Sequence, residues 1–295
     1  MLMQGLNSMS RVTGYIRLMR PINCFMMGFA VIVGAALSSP KFSNALWLPL
    51  SFGFVTGFTL TAASMAINDY YDREIDAINE PNRPIPSGFV KPKYALLFAL
   101  FLTAIGFAAA YLTNIFCFAI AVIAWIIFAT YATIGKRSGL PGNFLVSICV
   151  AIPFIYGSYV ATSALQSNVL IFGSIVFLSD TGREITKGIV DVEGDRKYGV
   201  KTLAVRFGEK AAAVAAAFFY LFAVLLSPIP WFLHLVSFWF IPLVAITDVG
   251  LVASSFMLIR NHSRENARRI KKTVLLWFII GLLAFLLGAY GKAYL

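Results

Sequence analysis

Two short runs of acids stand out in a chain that carries few charges. The first reads Asn68-Asp69-Tyr70-Tyr71-Asp72-Arg73-Glu74-Ile75-Asp76; the second gathers Asp180, Glu184, Asp191, Glu193 and Asp195, with Arg183 and Lys187 among them. On a helix turning about 100° per residue, Asn68, Asp69, Asp72 and Asp76 fall within an arc of about 100°. Asp180, Glu184, Lys187 and Asp195 lie within about 40° either side of Asp191, a polar stripe on an otherwise apolar helix. Each row can therefore face one ligand. Neither contains His or Cys, so every donor is an oxygen, which suits a hard cation such as Mg²⁺, normally shared with substrate phosphates. Mg²⁺ makes a diphosphate a better leaving group, and the allylic carbon that ionises can then be attacked by an acceptor. The basic residues Arg83, Lys136, Lys187, Lys197 and Lys201 are candidates for gripping the same diphosphate. Residues 79–88 carry Pro81, Pro84 and Pro86 around Arg83. That stretch cannot be helical throughout and reads as a stiff lid that sets Arg83 in place.

The elements that must position these rows follow from composition. Hydrophobic residues make up 59% of the 295 and charged residues 13%, against about a quarter charged in a soluble domain. The reading is an all-α membrane protein. A helix needs about 20 apolar residues to cross the hydrocarbon core. Residues 21–40 and 42–68 supply one span each. Residues 94–135 divide at Thr113-Asn114, and 138–179 at Gln166-Ser167-Asn168, the sixth helix running on towards Val190. Residues 211–247 divide at Ser227-Pro228-Ile229-Pro230, with the eighth helix continuing to about residue 259. A last helix at 273–291 brings the number to nine transmembrane helices.

An odd number of spans puts the termini on opposite sides, and the positive-inside rule chooses between them. Of the 24 Lys and Arg, 22 lie in 11–20, 73–93, 136–137, 183–210 and 260–272, all on one side, leaving Lys41 and Lys292 opposite. The N-terminus is thus expected to be cytoplasmic and the C-terminus external. The net charge of +11 describes that one face, where it also attracts anionic lipid. Twelve of the thirteen acids fall at or towards the same side, Asp248 being the exception. Ionisable groups at membrane depth cost roughly 2.5 to 3.5 kcal/mol each, so the second row must face a wet or metal-filled interior. Cys24, Cys117 and Cys149 sit in apolar runs, odd in number and without a CxxC pair, and imply neither disulfides nor zinc. Residues 1–10 read as a tail before a single domain over 11–295.

These residues resemble the UbiA superfamily of intramembrane prenyltransferases over essentially the whole chain. That family's NDxxDxxxD motif is matched by Asn68, Asp69, Asp72 and Asp76, and its DxxxD motif by Asp191 and Asp195. The resemblance implies nine helices around a central cavity, with two Mg²⁺ bridging both motifs to a prenyl diphosphate on the cytoplasmic side. A further element, YxxxK, is carried by Tyr131, with Lys136 one residue beyond the family's spacing. Arg20-Pro21-Ile22-Asn23 resembles an RPxN stretch near the acceptor, so Arg20 and Asn23 are expected there. The stretches 68–88 and 191–203 look like the branch that contains digeranylgeranylglyceryl phosphate synthases and chlorophyll synthases. The implied activity is Mg²⁺-dependent transfer of an isoprenyl group from a polyprenyl diphosphate, geranylgeranyl diphosphate in this branch, to a lipophilic acceptor. Geranylgeranylglyceryl phosphate, used in ether-lipid synthesis, is preferred because the seven basic residues between 183 and 210 could serve a phosphate. Aromatic quinone precursors and tetrapyrroles are the alternatives. An ion-coupled secondary transporter is the rival from another class, disfavoured because the acids gather at cytoplasmic ends rather than at the midplane. The expected partners are donor, acceptor and bilayer, with no nucleic acid and no obligate protein partner, and the expected location is the cell membrane with the site towards the cytoplasm.

Overall fold

The protein, described here by a computed structural model for residues 12–41 and 43–292, contains helices and turns and no strand among those residues. The expected tail, residues 1–10, lies outside them. Helix α1 (12–19) is followed by α2 (Pro21–Ser38), α3 (Trp47–Tyr71), α4 (Arg73–Asn79), α5 (Pro92–Thr113), α6 (Ile115–Thr133), α7 (Leu140–Thr162) and α8 (Ser167–Val190). Then come α9 (Val192–Lys197), α10 (Leu203–Leu226), α11 (Ile229–Phe232), α12 (Phe240–Arg260) and α13 (Arg264–Lys292).

The breaks have local causes. Asn114 is extended and its side chain accepts from Cys117 N at 2.8 Å, ending α5 and capping α6 as Asn does at helix starts. Pro stands in the first turn of α2, α5 and α7, where its missing N–H costs nothing. The break after Leu226 is longer than its Pro-Ile-Pro centre suggests, since turns and the short α11 occupy the chain up to Phe240. The last helix begins at Arg264 rather than at 273, so the basic run expected in a loop is its first turns.

Among the described residues eight helices are long and apolar enough to cross a membrane: α2, α3, α5, α6, α7, α10, α12 and α13. Helix α8 is as long, at 24 residues, but Asp180, Arg183, Glu184 and Lys187 set it apart in hydropathy. The long helices are arranged as a closed ring. Each packs on the next in sequence, α2 to α3, α5, α6, α7, α8, α10, α12 and α13, and α13 returns to α2. The ring is pinched where α2 meets α7. Gly34 there lies against the carbonyl of Phe154 and Gly157 against that of Val31, so close that a Cβ on either glycine would overlap backbone atoms. Small residues that bring backbones together are the usual device of helix pairs in lipid, where apolar burial provides no net drive.

Because backbone cannot yield as a flexible side chain can, Gly157→Ala should cost about 1 to 3 kcal/mol. The expected outcome is a clearly lower midpoint of thermal unfolding for the detergent-purified variant, whereas Gly173→Ala, where a Cβ meets nothing within 4 Å, should leave the midpoint in place.

Candidate active site

Both acidic rows sit at helix breaks of one kind. Asp72 separates α3 from α4 and Asp191 separates α8 from α9, so neither row lies on one continuous helix as the sequence suggested. The four-residue spacing survives each break, because Asp72 N donates to Asn68 O, Asp76 N to Asp72 O and Asp195 N to Asp191 O, at 2.9, 2.7 and 3.0 Å. Each break also turns residues at a helix end into the first turn of a new helix, Glu74 and Asp76 in α4, Glu193 and Asp195 in α9. Acids are favoured at that end and disfavoured at the other.

A single amide joins the two rows. Asn79 Nδ2 donates to Asp191 O at 2.9 Å, and Asn79 Oδ1 accepts from Gly194 N at 2.9 Å. Asn79 is buried, and a Cβ at Gly194 would run into its carboxamide. From α13, Arg264 donates to Val190 O and to Asn79 O, both at 2.9 Å, and Arg268 and Lys271 reach Glu80 at 3.1 and 3.5 Å. Sequence reasoning missed this clasp. Its one visible signal is that Asn79 lies three residues after Asp76, on the same helix face.

Asp69, Asp72, Asp76 and Asp195 are all at most 4% exposed. Buried carboxylates require partners, and the first row has them. Asp76 is bonded to Arg83 at 2.5 Å, and Asp69 to Arg20 at 2.5 Å with Arg83 at 3.4 Å. Asp72 pairs with Lys136 and accepts from Asn68 Nδ2 at 2.8 Å. The second row differs. Among the described residues neither Asp191 nor Asp195 enters an ion pair within 4 Å, and Asp191 Oδ1 is buried without a hydrogen-bond partner. Burial pushes the Asp76 and Asp195 carboxyls up to about 7, with Arg83 and Lys136 respectively pulling them back down.

An unpartnered, buried carboxylate oxygen beside further buried carboxylates is a donor set that fits a hard cation. Among the described residues, no three carboxylate, His or Cys side chains gather closely enough to hold an ion by themselves.

The expected basic residues divide into three groups. Arg83 and Lys136 are bonded to the first row. Lys187 is turned to Glu184, at 2.7 and 2.8 Å. Lys197 and Lys201 are exposed. Arg20, in the left-handed region at φ 54°, belongs to the first row through Asp69, and a non-glycine residue held in that conformation is a form of strain that concentrates at functional sites. Arg20, Asn23, Asn68, Tyr131, Asp180, Arg183 and Glu184 all line one cavity of about 210 Å³, whose remaining wall is largely apolar, with Met26, Leu60, Phe128 and Phe278 among it. The polar stripe of α8 therefore faces the interior, with Asp180 accepting from Ser147 at 3.3 Å. Asp248 is elsewhere. It accepts from Ser227 at 2.6 Å and lines a second, smaller cavity of about 70 Å³.

Comparison with known proteins meets this geometry from outside. A digeranylgeranylglyceryl phosphate synthase of Archaeoglobus fulgidus is 38% identical over 92% of this chain and 94% of its own. One of Methanosarcina mazei is 35% identical over 93% and 97%. A structure solved in work on digeranylgeranylglyceryl phosphate synthase in membranes superposes with a TM-score of 0.71 at 33% identity, covering 95% of this chain and 99% of that one. A UbiA homolog from Archaeoglobus fulgidus bound to DMAPP and Mg²⁺ shares the fold, with a TM-score of 0.65 at 18% identity over 92% and 98%. With the model of the UbiA prenyltransferase family matching residues 27–283, the chain belongs to that family.

Proposed function

We propose that this protein transfers a polyprenyl group, geranylgeranyl, from its diphosphate to the free hydroxyl of geranylgeranylglyceryl phosphate with the help of Mg²⁺. The observation that carries the reading is the pair of clasped aspartate rows beside a largely apolar cavity that Asn68 of the first row lines, with Asp69, Asp72 and Asp76 ion-paired by the protein and Asp191 and Asp195 not. Asn68, Asp69, Asp72, Asp76, Asp191 and Asp195 are the residues that would hold Mg²⁺ together with the diphosphate. When bound, the metal neutralises the diphosphate and helps it depart.

The chain's own residues do the rest. Arg83 and Lys136, now bonded to Asp76 and Asp72, are poised to exchange those carboxylates for diphosphate oxygens when cation and donor arrive together. Tyr131, which lines the cavity with Asn68 and Glu184, would face the departing group. The C1–O bond breaks with its electron pair leaving on the diphosphate. The acceptor oxygen then bonds to C1 and its proton passes to an oxygen of the departing diphosphate. The apolar wall holds both hydrocarbon chains and keeps water from the carbon. The acceptor is read from the relatives' names and from the seven basic residues between 183 and 210, of which Arg183 lines the cavity.

The same reading makes α8 the ninth span, its charges turned into the ring, and places the N-terminus in the cytoplasm and the C-terminus outside. The binding end then faces the cytoplasm from the cell membrane. Residues 11–295 form a single domain in this reading.

With purified protein, labelled geranylgeranyl diphosphate, Mg²⁺ and acceptor, Asp72→Ala and Asp195→Ala should each abolish turnover, as should EDTA, while Asp248→Ala keeps most of it. Equal loss from all three substitutions would contradict the site. A second expectation concerns the clasp. Substitutions behind metal ligands commonly cost about 10- to 100-fold in metal affinity, so Asn79→Ala should raise at least tenfold the Mg²⁺ concentration that supports half-maximal binding of a non-reactive diphosphate analogue. Gly194→Ala should do the same by displacing Asn79, and normal Mg²⁺ dependence in both variants would rule the clasp out as a positioning device.

A further inference from the structure

Arg183 is a cation that the donor half of the reaction does not use. It stands on α8, lines the main cavity together with Asn68 and Arg20, and its side chain is 16% exposed. Its Nε is buried and has no hydrogen-bond partner among the described residues. Its nearest anion is Glu184, at 3.8 Å, beyond hydrogen-bond reach. Glu184 is itself taken by Lys187, which donates to both of its oxygens at 2.7 and 2.8 Å. Asp180, one turn earlier, accepts from Ser147 and forms no ion pair with Arg183 within 4 Å. A guanidinium has five N–H donors in a planar fork that matches phosphate, and leaving a buried donor without a hydrogen bond in a largely apolar cavity is costly. The vacant donors call for an anionic oxygen brought in by a ligand.

Two anions enter in the proposed reaction, and the geometry distinguishes them. Donor diphosphate is served by Arg83 and Lys136, which are bonded directly to Asp76 and Asp72. Among the described residues Arg183 makes no hydrogen bond or ion pair to Asn68, Asp69, Asp72, Asp76, Asp191 or Asp195, yet it shares a cavity wall with Asn68. Arg20 lines the same cavity and is tied to Asp69. We propose that Arg183 binds the phosphate of the acceptor, with Arg20 beside it, and so orients the acceptor hydroxyl towards the donor carbon. This assignment rests on the reading of the acceptor as a phosphate-bearing lipid.

The test uses the full-length protein in detergent with labelled geranylgeranyl diphosphate and two acceptors, geranylgeranylglyceryl phosphate and the same ether without its phosphate. Wild type should prefer the phosphorylated acceptor. Arg183→Gln should cut that preference, the ratio of the two kcat/KM values, at least tenfold, through acceptor KM and with donor KM held. Arg183→Lys, which keeps the charge without the fork, should recover part of it. Thermal stabilisation of the wild type by the phosphorylated acceptor alone, exceeding that by the phosphate-free ether, should shrink in both variants and reads binding without turnover. An unchanged preference, or a rise in donor KM in place of acceptor KM, overturns the assignment while leaving the function intact. Failure of wild type to prenylate the phosphorylated acceptor overturns the function and this assignment together.

Discussion

The structure depends on the burial of carboxylates at one end of a helical ring. Asp69, Asp72, Asp76 and Asp195 are nearly inaccessible, and a buried charge without compensation costs several kcal/mol. For the first row the protein supplies the compensation from three places distant in sequence: Arg20 ahead of α2, Arg83 in the proline-rich loop and Lys136 after α6. Each pairing draws its segment over the ends of the helices. In the second row Glu184 and Glu193 are paired, with Lys187 and Arg264, but among the described residues Asp191 and Asp195 have no such partner within 4 Å. An ionised Asp191 and Asp195 beside the first row would be repelled unless another cation came between them, and a metal brought with a diphosphate meets that need. The asymmetry between the rows is thus a physical reason for binding metal and donor together, and it leaves the cations of the first row available to the phosphates.

Two further features keep that end in register. The helix breaks at Asp72 and Asp191 redirect α4 and α9 without losing the spacing of the acids, and Asn79 fastens one short helix to the other through two buried hydrogen bonds. Arg264 repeats the fastening from α13 by bonding Val190 and Asn79. The ring is therefore tied shut where α13, the last element, meets both rows. Freezing the separation of the rows before the ligand arrives places the ordering cost in folding rather than in binding.

Much of this was legible in the sequence because it rests on local chemistry. The breaks at Asn114 and before Pro228 follow from residues that cannot continue a helix, and the acid spacing follows from the helical period. What escaped needed knowledge of neighbours. Asn79 has meaning only once α4 is known to lie against α9. The basic run 264–272 is explained as well by topology as by contacts until Glu80 and Glu193 are seen opposite it. Arg20 shows its link to Asp69 only when the chain turns through a left-handed residue between α1 and α2. Helix α8 is the converse case: the charges that spoil its hydropathy are the ones the cavity requires, so a composition rule loses the helix at the place where function overrides it.

The contrast between a charged end and a largely apolar cavity wall also constrains the chemistry that can occur between them. A prenyl cation formed in water is captured by water, so the carbon has to ionise where water is excluded. The diphosphate that leaves it, however, has to be held by charges, which are stable only where carboxylates and cations compensate one another. Asn68 and Arg20 belong to both regions, because they line the cavity and also bond to Asp72 and Asp69. The boundary between the aspartate row and the cavity therefore passes through the first motif. It is at that boundary, and not deeper along the apolar wall, that the scissile bond would lie on the proposed reading, with the donor's charge on one side and both hydrocarbon chains on the other.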